Sequence, residues 1–389
     1  MSDQPYHQSL RLKNFTAFAA AEFDFVPGIN VFVGENGTGK THVMKALYAM
    51  QLTQSRQSRS IRTTLEDLFQ TKNVADVIRI GANQTVTANI NGSYAGDKWT
   101  YVIQRSASTG RHAEVSVDNW ILGAERPVFI PAIDMMGHTK GFTEAYDEVR
   151  LDFDLTCRDV VNLLRLERRN GNSQALFDES LDEPLARLLN GKIERDDEGR
   201  FYLATKAGRL PMPMVAEGLR KIATLIQLER NGWLTAGTTL FWDEPEVNLN
   251  PILMGEVVSA ILALTRRGIQ VFLATHSYVI LKEIDLQTRK EDTVRYFAFQ
   301  GSEKGTVVNA TEDFALLSPN PILEQYDSLY DRELTRSTGR NRSALLVTFQ
   351  SRVNSQIPNL RLWAEPVSVA VLDTAEWNRR YPQYPARLL

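Results

Sequence analysis

The chain contains 389 residues, of which 43% are hydrophobic and 23% are charged, and its formal net charge is −3 at pH 7. A chain of this length can fold as one large domain or a few smaller ones, and its small net charge excludes a global attraction to nucleic acid, so any such site must be a local patch. The single cysteine, Cys157, excludes an internal disulfide and a cysteine metal cluster, and it is typical of a protein in a reducing cytosol.

The first elements in chain order are three predicted strands and a helix around a glycine-rich loop. Alternating apolar residues predict strands at 9–15 and 21–25, an apolar run predicts a buried strand at 29–33, and residues 42–48 predict a helix. The loop at 34–41 fits the pattern G-x-x-x-x-G-K-[ST] at every fixed position. Such a loop turns backbone N–H groups inward and the following helix adds partial positive charge, so the motif predicts a phosphate-binding loop.

Individual residues of this loop have expected roles. Lys40 is expected to reach the β- and γ-phosphates of a nucleotide, and the hydroxyl of Thr41 is expected to hold Mg²⁺. The predicted nucleotide-binding residues are Asn36, Gly37, Thr38, Gly39, Lys40, Thr41 and His42. The alternative is a glycine turn between strand and helix that binds nothing.

The middle of the sequence mixes predicted helices and strands. The predicted elements are a polar helical stretch at 51–76, a β-meander at 77–117, a short strand at 127–131, a mostly helical stretch at 144–189 and a small β-element at 199–204. Asn91-Gly92 predicts the hairpin turn of the meander, and residues 170–172 predict the end of a helix. Two arginine clusters either face solvent or contact a phosphate backbone or partner: Arg56, Arg59 and Arg62, and Arg165, Arg168 and Arg169.

The second half carries a pair of carboxylates at the end of an apolar strand, residues 238–244. A buried strand that ends in Asp243 and Glu244 is costly unless the charges meet a cation or solvent, and the phosphate-binding loop implies such a cation. Asp243 is therefore the predicted Mg²⁺ partner, and Glu244 is predicted to orient and deprotonate an attacking water. The alternative is a pair of ordinary surface acids.

A tight connection and a third strand follow. Asn250 and Pro251 predict the N-cap and first turn of a helix that runs to about Arg267. Its predicted inward residues are Ile252, Leu253, Val257, Val258, Ile261 and Leu262. An apolar strand then ends at His276, where an α/β sheet places its ligand site, so a neutral His276 is expected to donate to the γ-phosphate.

The order of these motifs resembles the ABC-type ATPases of the SMC, RecF and OLD group, over residues 9–48 and 212–278. The chain is most similar to compact members without a long coiled coil, such as the ATPase subunits of the anti-phage systems Septu and PARIS and of retron-linked pairs. The resemblance implies an α/β fold: a P-loop NTPase head of ABC type, with a mixed sheet, an antiparallel β-subdomain and a helical insertion at about 50–212. The head is expected to span 1–335, with a C-terminal extension of unknown role at 336–389.

The resemblance also assigns roles to residues. It implies that Asp243 ends the Walker B strand and holds the metal together with Thr41, that Glu244 and His276 are catalytic, and that 245–250 forms the D-loop. The signature motif corresponds to 214–221, whose Ala216 and Gly218 are implied to bind the ATP of a partner subunit in a head-to-tail homodimer or higher oligomer. Two features depart from the family pattern: Ala216 replaces a common serine, and no glutamine follows 127–131, where Asp134 is suggested as a substitute.

The implied function is an ATPase, dependent on ATP and Mg²⁺, that acts as a sensor or regulator in anti-phage defence. Because the sequence carries no nuclease signature, the effector nuclease or toxin is expected to be a separate protein. The alternative is a RecF-like DNA-repair ATPase that binds DNA directly through the arginine clusters. A membrane-transporter subunit fits poorly, because the opening strands and the Pro245-Glu246 connection resemble the soluble group. With no signal peptide and no run near the roughly 20 apolar residues of a membrane span, the sequence predicts a cytoplasmic protein without membrane contact.

Overall fold

A computed structural model describes residues 5–55, 60–79, 87–105, 113–119, 124–149, 151–166 and 188–338. The chain divides into two units, of which the first ends at Ile322 and the second begins at Leu323. Several sequence predictions lie outside the described residues: Arg56, Arg59, Arg168, Arg169, the helix end at 170–172 and the stretch 339–389. The assignment of 1–335 as the head and 336–389 as an extension therefore stays a prediction.

Strands and helices occur in runs in the first part of the chain and alternate from residue 217 to residue 300. The strands are β1 His7–Phe15, β2 Phe18–Asp24, β3 Ile29–Gly34, β4 Thr87–Tyr94, β5 Asp97–Arg105, β6 Ala113–Asp118, β7 Val128–Ile130, β8 Lys192–Arg195, β9 Phe201–Thr205, β10 Gly208–Pro211, β11 Thr239–Asp243, β12 Gln270–Thr275, β13 Val294–Gln300 and β14 Val307–Thr311. The helices are α1 Lys40–Gln54, α2 Ile61–Phe69, α3 Phe142–Val149, α4 Leu155–Arg165, α5 Glu217–Arg230, α6 Pro251–Arg266, α7 Tyr278–Gln287 and α8 Pro321–Thr338. Within the described residues, no helix combines the length and apolarity needed to cross a membrane.

The strands form three sheets. The central six-stranded sheet has the order β14-β13-β3-β12-β11-β7, with β14 antiparallel to β13 and the other neighbours parallel. A five-stranded antiparallel sheet has the order β2-β1-β4-β5-β6, and a three-stranded sheet has the order β10-β9-β8. Helices α2, α3 and α4 lie in the insertion between β3 and β11. The predicted fold class, a mixed α/β sheet with an antiparallel β-subdomain and a helical insertion, is confirmed.

Alternation along the central strands divides the core into two clusters, one on each face of the sheet. Val31 of β3 packs with one cluster, which contains the inward faces of α4, α5, α6 and α7. The next residue, Phe32, packs with the other cluster, which contains α1 and the antiparallel sheet. Successive side chains of a strand point to opposite faces, so a continuous apolar run is what a sheet covered on both sides requires. The P-loop helix α1 and the helix α5 therefore pack on opposite faces.

The predicted hairpin turn at Asn91-Gly92 is wrong. Both residues lie inside β4, and the turn between β4 and β5 is formed by Ala95 and Gly96, with φ of 53° and 89°. Gly92 faces the indole of Trp99 so closely that an added Cβ atom would lie 2.4 Å from the ring. Glycine is thus needed in this strand for close packing and not for a turn.

Helix α6 begins as predicted, but one of its predicted core residues is exposed. The side chain of Asn250 accepts a hydrogen bond from the backbone N–H of Ile252, with Pro251 in the first turn. Ile252 itself is 83% exposed, whereas Val257 and Val258 are buried against the sheet. Helical periodicity located the apolar face correctly over the later turns, but the first turn extends beyond the edge of the core.

Candidate active site

The site lies at one edge of the central sheet. Strands β3, β12 and β11 are neighbours and run parallel, so their carboxyl ends meet at the same edge. These ends lead into the glycine loop, His276 and Glu244, respectively. The topology therefore brings the glycine loop together with two motifs that follow it by about two hundred residues, at the place where α/β sheets bind ligands.

The glycine loop encloses the ammonium group of Lys40. Gly39 caps α1 in a left-handed conformation with φ of 93°, which glycine adopts without strain. The Lys40 side chain is buried, and its Nζ donates to the carbonyl oxygens of Gly34 at 2.8 Å and Glu35 at 2.9 Å. Burial lowers the Lys40 pKa to about 8, although the nearby carboxylates of Glu244, Asp243 and Glu246 act in the opposite direction. An ammonium in this loop has the charge and donors that a phosphate requires.

Thr41 and Asp243 form an oxygen pair at the mouth of the loop. Thr41 Oγ1 donates to Asp243 Oδ2 at 2.9 Å, and Asp243 is only 9% exposed. Burial raises the Asp243 pKa to about 6, against the opposing effect of the Thr41 hydrogen bond. A hydroxyl beside a poorly solvated carboxylate is a donor set suited to a hard cation. These residues therefore fit Mg²⁺ bound to a nucleotide.

Glu244 and His276 form the second pair of the site. Nε2 of His276 lies 3.1 Å from Oε1 of Glu244, and both side chains are about one third exposed, at 30% and 31%. Burial and the charge of Lys40 lower the His276 pKa, against the pull of Glu244 and Glu246. The imidazole is therefore neutral near pH 7, and with its proton on Nε2 it donates to the Glu244 carboxylate. This contact orients the Glu244 side chain near Lys40.

Glu246 holds the end of β12 and was missed by the sequence analysis. Its Oε1 accepts from the backbone N–H of His276 at 2.6 Å and from the hydroxyl of Thr275 at 2.8 Å. The other oxygen, Oε2, is buried without a hydrogen-bond partner among the described residues. Glu246 lies in the tight connection after the Asp-Glu pair, and this proximity was the available signal.

Helix α5 presents its N-terminus close to this site. Ala216 is exposed at the N-cap, with φ of −55° and ψ of 136°, and no side chain caps the helix there. Gly218 is buried against the connection after β11, where an added Cβ atom would lie 2.7 Å from the Asn248 carbonyl oxygen. The glycine thus permits close packing within the chain, and the binding of a partner's nucleotide by Ala216 and Gly218 stays a prediction.

Two further predicted residues have identifiable surroundings. Asp134, the suggested glutamine substitute, is buried and accepts from Arg220 Nε at 2.7 Å, so it anchors α5. His42 packs edge-on against Phe69 with ring centroids 5.3 Å apart, and its Nδ1 is buried without a partner among the described residues. Burial and nearby Lys45 lower the His42 pKa to about 4, so the ring is neutral.

The described members of the two arginine clusters are both ion-paired. Arg62 Nε lies 3.1 Å from a carboxylate oxygen of Glu66, and Arg165 Nη1 lies 3.1 Å from one of Glu144. These contacts already occupy the two guanidinium groups with acids of the same chain.

Two family models match separate parts of the chain. Residues 9–119 match a family described as "AAA domain", and residues 146–282 match a family described as "AAA domain, putative AbiEii toxin, Type IV TA system". The first match contains the glycine loop, and the second contains Asp243, Glu244 and His276.

A structural comparison identifies the fold. The Smc head domain from Pyrococcus furiosus, solved with an extended coiled coil and bound to the C-terminal domain of ScpA, has a TM-score of 0.51 and 12% identity, over 84% of this chain and 99% of that chain. The chain has the fold of an SMC-type ATPase head.

Curated relatives match over short stretches. The DNA replication and repair protein RecF of Streptococcus uberis is 36% identical over 59 residues, which is 15% of this chain and 16% of RecF. RecF of Salinibacter ruber is 49% identical over 47 residues, which is 12% of this chain and 11% of RecF. The matches thus span less than a fifth of these relatives. Together, the comparisons show similarity to AAA-domain families and to part of RecF, and the fold of an SMC-type head.

Proposed function

We propose that this SMC-type head binds ATP with Mg²⁺, hydrolyses it to ADP and phosphate, and uses the cycle as a conformational switch. The observation that carries the proposal is the convergence of Lys40, the Thr41–Asp243 pair and the Glu244–His276 pair at one sheet edge. Phosphoryl transfer to water depends mainly on positioning and charge stabilisation, and these groups supply both.

Each group has a chemical role in this proposal. Lys40 and the loop N–H groups hold the phosphates, and Thr41 with Asp243 would hold Mg²⁺, which supplies positive charge to the phosphate oxygens when bound. Glu244 takes the proton of the attacking water. His276 orients the Glu244 carboxylate through Nε2, at 3.1 Å, and its neutral ring can also donate to the γ-phosphate.

The switch requires a second copy of the chain. Helices α1 and α5 pack on opposite faces of the sheet, which supports a head-to-tail dimer or higher oligomer in which the open N-terminus of α5 meets the nucleotide of a partner. ATP would favour the closed assembly only if it binds that state more tightly than the open one. The solved Smc head bound to ScpA supports a further protein partner.

The most direct test of nucleotide binding is Lys40→Ala. Loss of a charge-assisted contact worth roughly 1.5–3 kcal/mol should weaken ATP binding by about 10- to 100-fold. The measurement is ATP affinity by calorimetry, with Lys13→Ala on the exposed part of β1 as the matched control. Equal affinities for the wild type and Lys40→Ala would refute the phosphate-binding role.

The proposed biological role is a sensor or regulator of anti-phage defence that controls a separate nuclease or toxin. The description of the family matched at 146–282, which names a toxin–antitoxin system, supports it. The second candidate is a RecF-like ATPase acting on DNA, which the RecF matches support. Co-purification from the native operon, with mass measured with and without ATP, distinguishes them: a bound nuclease or toxin supports defence, and bound replication proteins or DNA support repair.

A further inference from the structure

Lys221 is a buried lysine that points at the backbone of Glu244. It lies in the first turns of α5 and is 2% exposed, and its Nζ donates to the Glu244 carbonyl oxygen at 3.0 Å. Burial of the ammonium lowers the Lys221 pKa, against the attraction of surrounding carboxylates, led by Glu217 and Glu246. A buried ammonium group costs folding free energy unless its charge and its N–H donors have partners.

The backbone of Glu244 needs this kind of support. Its φ is 47°, a left-handed conformation that costs a residue with a side chain free energy unless its surroundings hold it. Its N–H donates to the Ala274 carbonyl oxygen at 2.9 Å, and its own carbonyl oxygen accepts from Lys221 and, at 3.2 Å, from the N–H of Val247. The conformation of Glu244 is therefore restrained on both its N–H and its carbonyl side.

We propose that Lys221 is a positioning residue for hydrolysis, which holds the Glu244 carbonyl so that the Glu244 carboxylate stays beside His276. This inference deepens the proposed function and rests on it. Lys221 acts through the backbone and does not contact the reacting atoms. Loss of its hydrogen bond frees the strained peptide to relax, and a displacement of about 1 Å at a reacting group can cost about 100-fold in rate.

The same contact links α5 to the catalytic base. Lys221 lies one turn after Gly218, whose backbone packs on the connection that follows Glu244. A movement at the N-terminus of α5 therefore displaces Nζ and the Glu244 carbonyl together. Engagement of this helix by a partner's nucleotide would in this way adjust the base before hydrolysis.

Lys221→Met tests the inference, because methionine keeps the length and apolar stem and removes the donor. We expect kcat for ATP hydrolysis to fall by about 10- to 100-fold while KM and ATP affinity stay within about twofold of the wild type. Lys221→Arg retains donors and a charge and should restore part of kcat. Thr224→Val is the matched control, because Thr224 is buried one turn later on the same helix and its hydroxyl contacts Met136 Sδ at 3.8 Å.

The outcomes separate the inference from the function beneath it. If the wild type hydrolyses ATP, Glu244→Gln does not, and Lys221→Met keeps the wild-type kcat, the positioning role is wrong and the proposed function stands. An equal loss of kcat in Thr224→Val would assign the effect to packing of α5 and also overturn the inference. If the wild type hydrolyses no ATP, the proposed function fails and the positioning role fails with it. Thermal unfolding of each variant identifies folded samples, and Lys221→Leu, which also lacks a donor, replaces the methionine variant if that does not fold.

Discussion

At the scale of single residues, burial weakens the charges that would meet a nucleotide. It lowers the pKa of Lys40 to about 8 and raises the pKa of Asp243 to about 6, so neither charge is well stabilised without a ligand. A phosphate beside the lysine and a cation beside the carboxylate would each favour the ionised form. Burial of these two groups therefore costs the nucleotide-free protein some of its folding free energy, and ligand binding would offset this cost.

Asp243→Asn should stabilise the nucleotide-free protein. The folded-state pKa is about 6 against an ordinary 3.8, so the unfavourable burial of the ionised Asp243 amounts to roughly 3 kcal/mol at most. Asparagine has the same shape and can still accept from Thr41. The measurement is thermal unfolding in buffer free of nucleotide and divalent metal, in which Asp243→Asn should unfold at a higher temperature than the wild type at pH 7.5.

The contribution of Asp243 to stability depends on pH. Between pH 3.8 and about 6 the folded chain holds the Asp243 proton more tightly than the unfolded chain, so stability from this group falls as pH rises. The advantage of Asp243→Asn should therefore be full above pH 6 and should shrink towards pH 4. Asp118→Asn, at an exposed position on β6, is the control and should change little. A variant no more stable than the wild type at pH 7.5 would contradict the account.

Sequence patterns predicted those residues of the candidate site that belong to short motifs. The P-loop and the Asp-Glu pair are recognised because their chemistry requires adjacent positions, and the structure places Lys40, Thr41, Asp243, Glu244 and His276 at one edge. Lys221 and Glu246 were missed because each acts on backbone groups that only the fold brings near. Lys221 shares the helical face of buried Leu225 and Leu228, and a charge on an apolar face was the available signal.

At the scale of elements, the N-terminus of α5 combines two unlike functions. Its second turn holds Glu244 through Lys221, while its N-cap residue, Ala216, is exposed and has no side chain that could cap the helix. An uncapped helix start leaves backbone N–H groups available to an anion but forgoes the stability that a cap gives. This matches the departure noticed in the sequence, where alanine replaces the common serine.

Ala216→Ser should supply the missing hydroxyl. The backbone at 216 is non-helical, with φ of −55° and ψ of 136°, as an N-cap requires, so a serine there can accept from the first turn and add about 0.5–2 kcal/mol of stability. Thermal unfolding without nucleotide measures the gain. The hydroxyl should also strengthen any ATP-dependent association, which light scattering measures over a range of protein concentrations.

The same position offers a cleaner probe than Gly218. A side chain at 218 would clash with the Asn248 carbonyl oxygen of the same chain, so a loss of function in a Gly218 variant would not report on contact with a partner. An Ala216→Ser protein that is no more stable than the wild type would show that this helix start is not an ordinary N-cap. Unchanged association despite greater stability would argue against contact between Ala216 and a partner's nucleotide.

Elements were predicted best where a single pattern governs them. Residues of β1 alternate because one face of the strand is buried, and β3 is a continuous apolar run because both of its faces are buried. Both strands occur as expected. The predicted turn at Asn91-Gly92 was wrong because glycine occurs both in turns and at close contacts. At Gly92 the glycine is required by close contact with the indole of Trp99. The sequence does not show which large side chain of a neighbouring strand packs over a glycine.

At the scale of the whole molecule, the central sheet separates the P-loop helix α1 from the helix α5. Each packs on its own hydrophobic cluster, and only the strand ends bring their functional residues to a common edge. Under the proposed function, one head has both a nucleotide site of its own and a separate surface that meets the nucleotide of another head. We therefore expect ATP hydrolysis and association of the heads to be coupled.

Glu244→Gln tests this central claim most directly, because glutamine keeps the shape of the side chain and removes the base. ATP should bind with the wild-type affinity while single-turnover hydrolysis falls by about 10²–10⁴-fold, and the associated form should accumulate because its release step is blocked. The measurement combines single-turnover hydrolysis, ATP affinity and mass in the presence of ATP for the wild type and the variant. Hydrolysis by Glu244→Gln at the wild-type rate would contradict the assignment of Glu244 as the base, and the switch built on it.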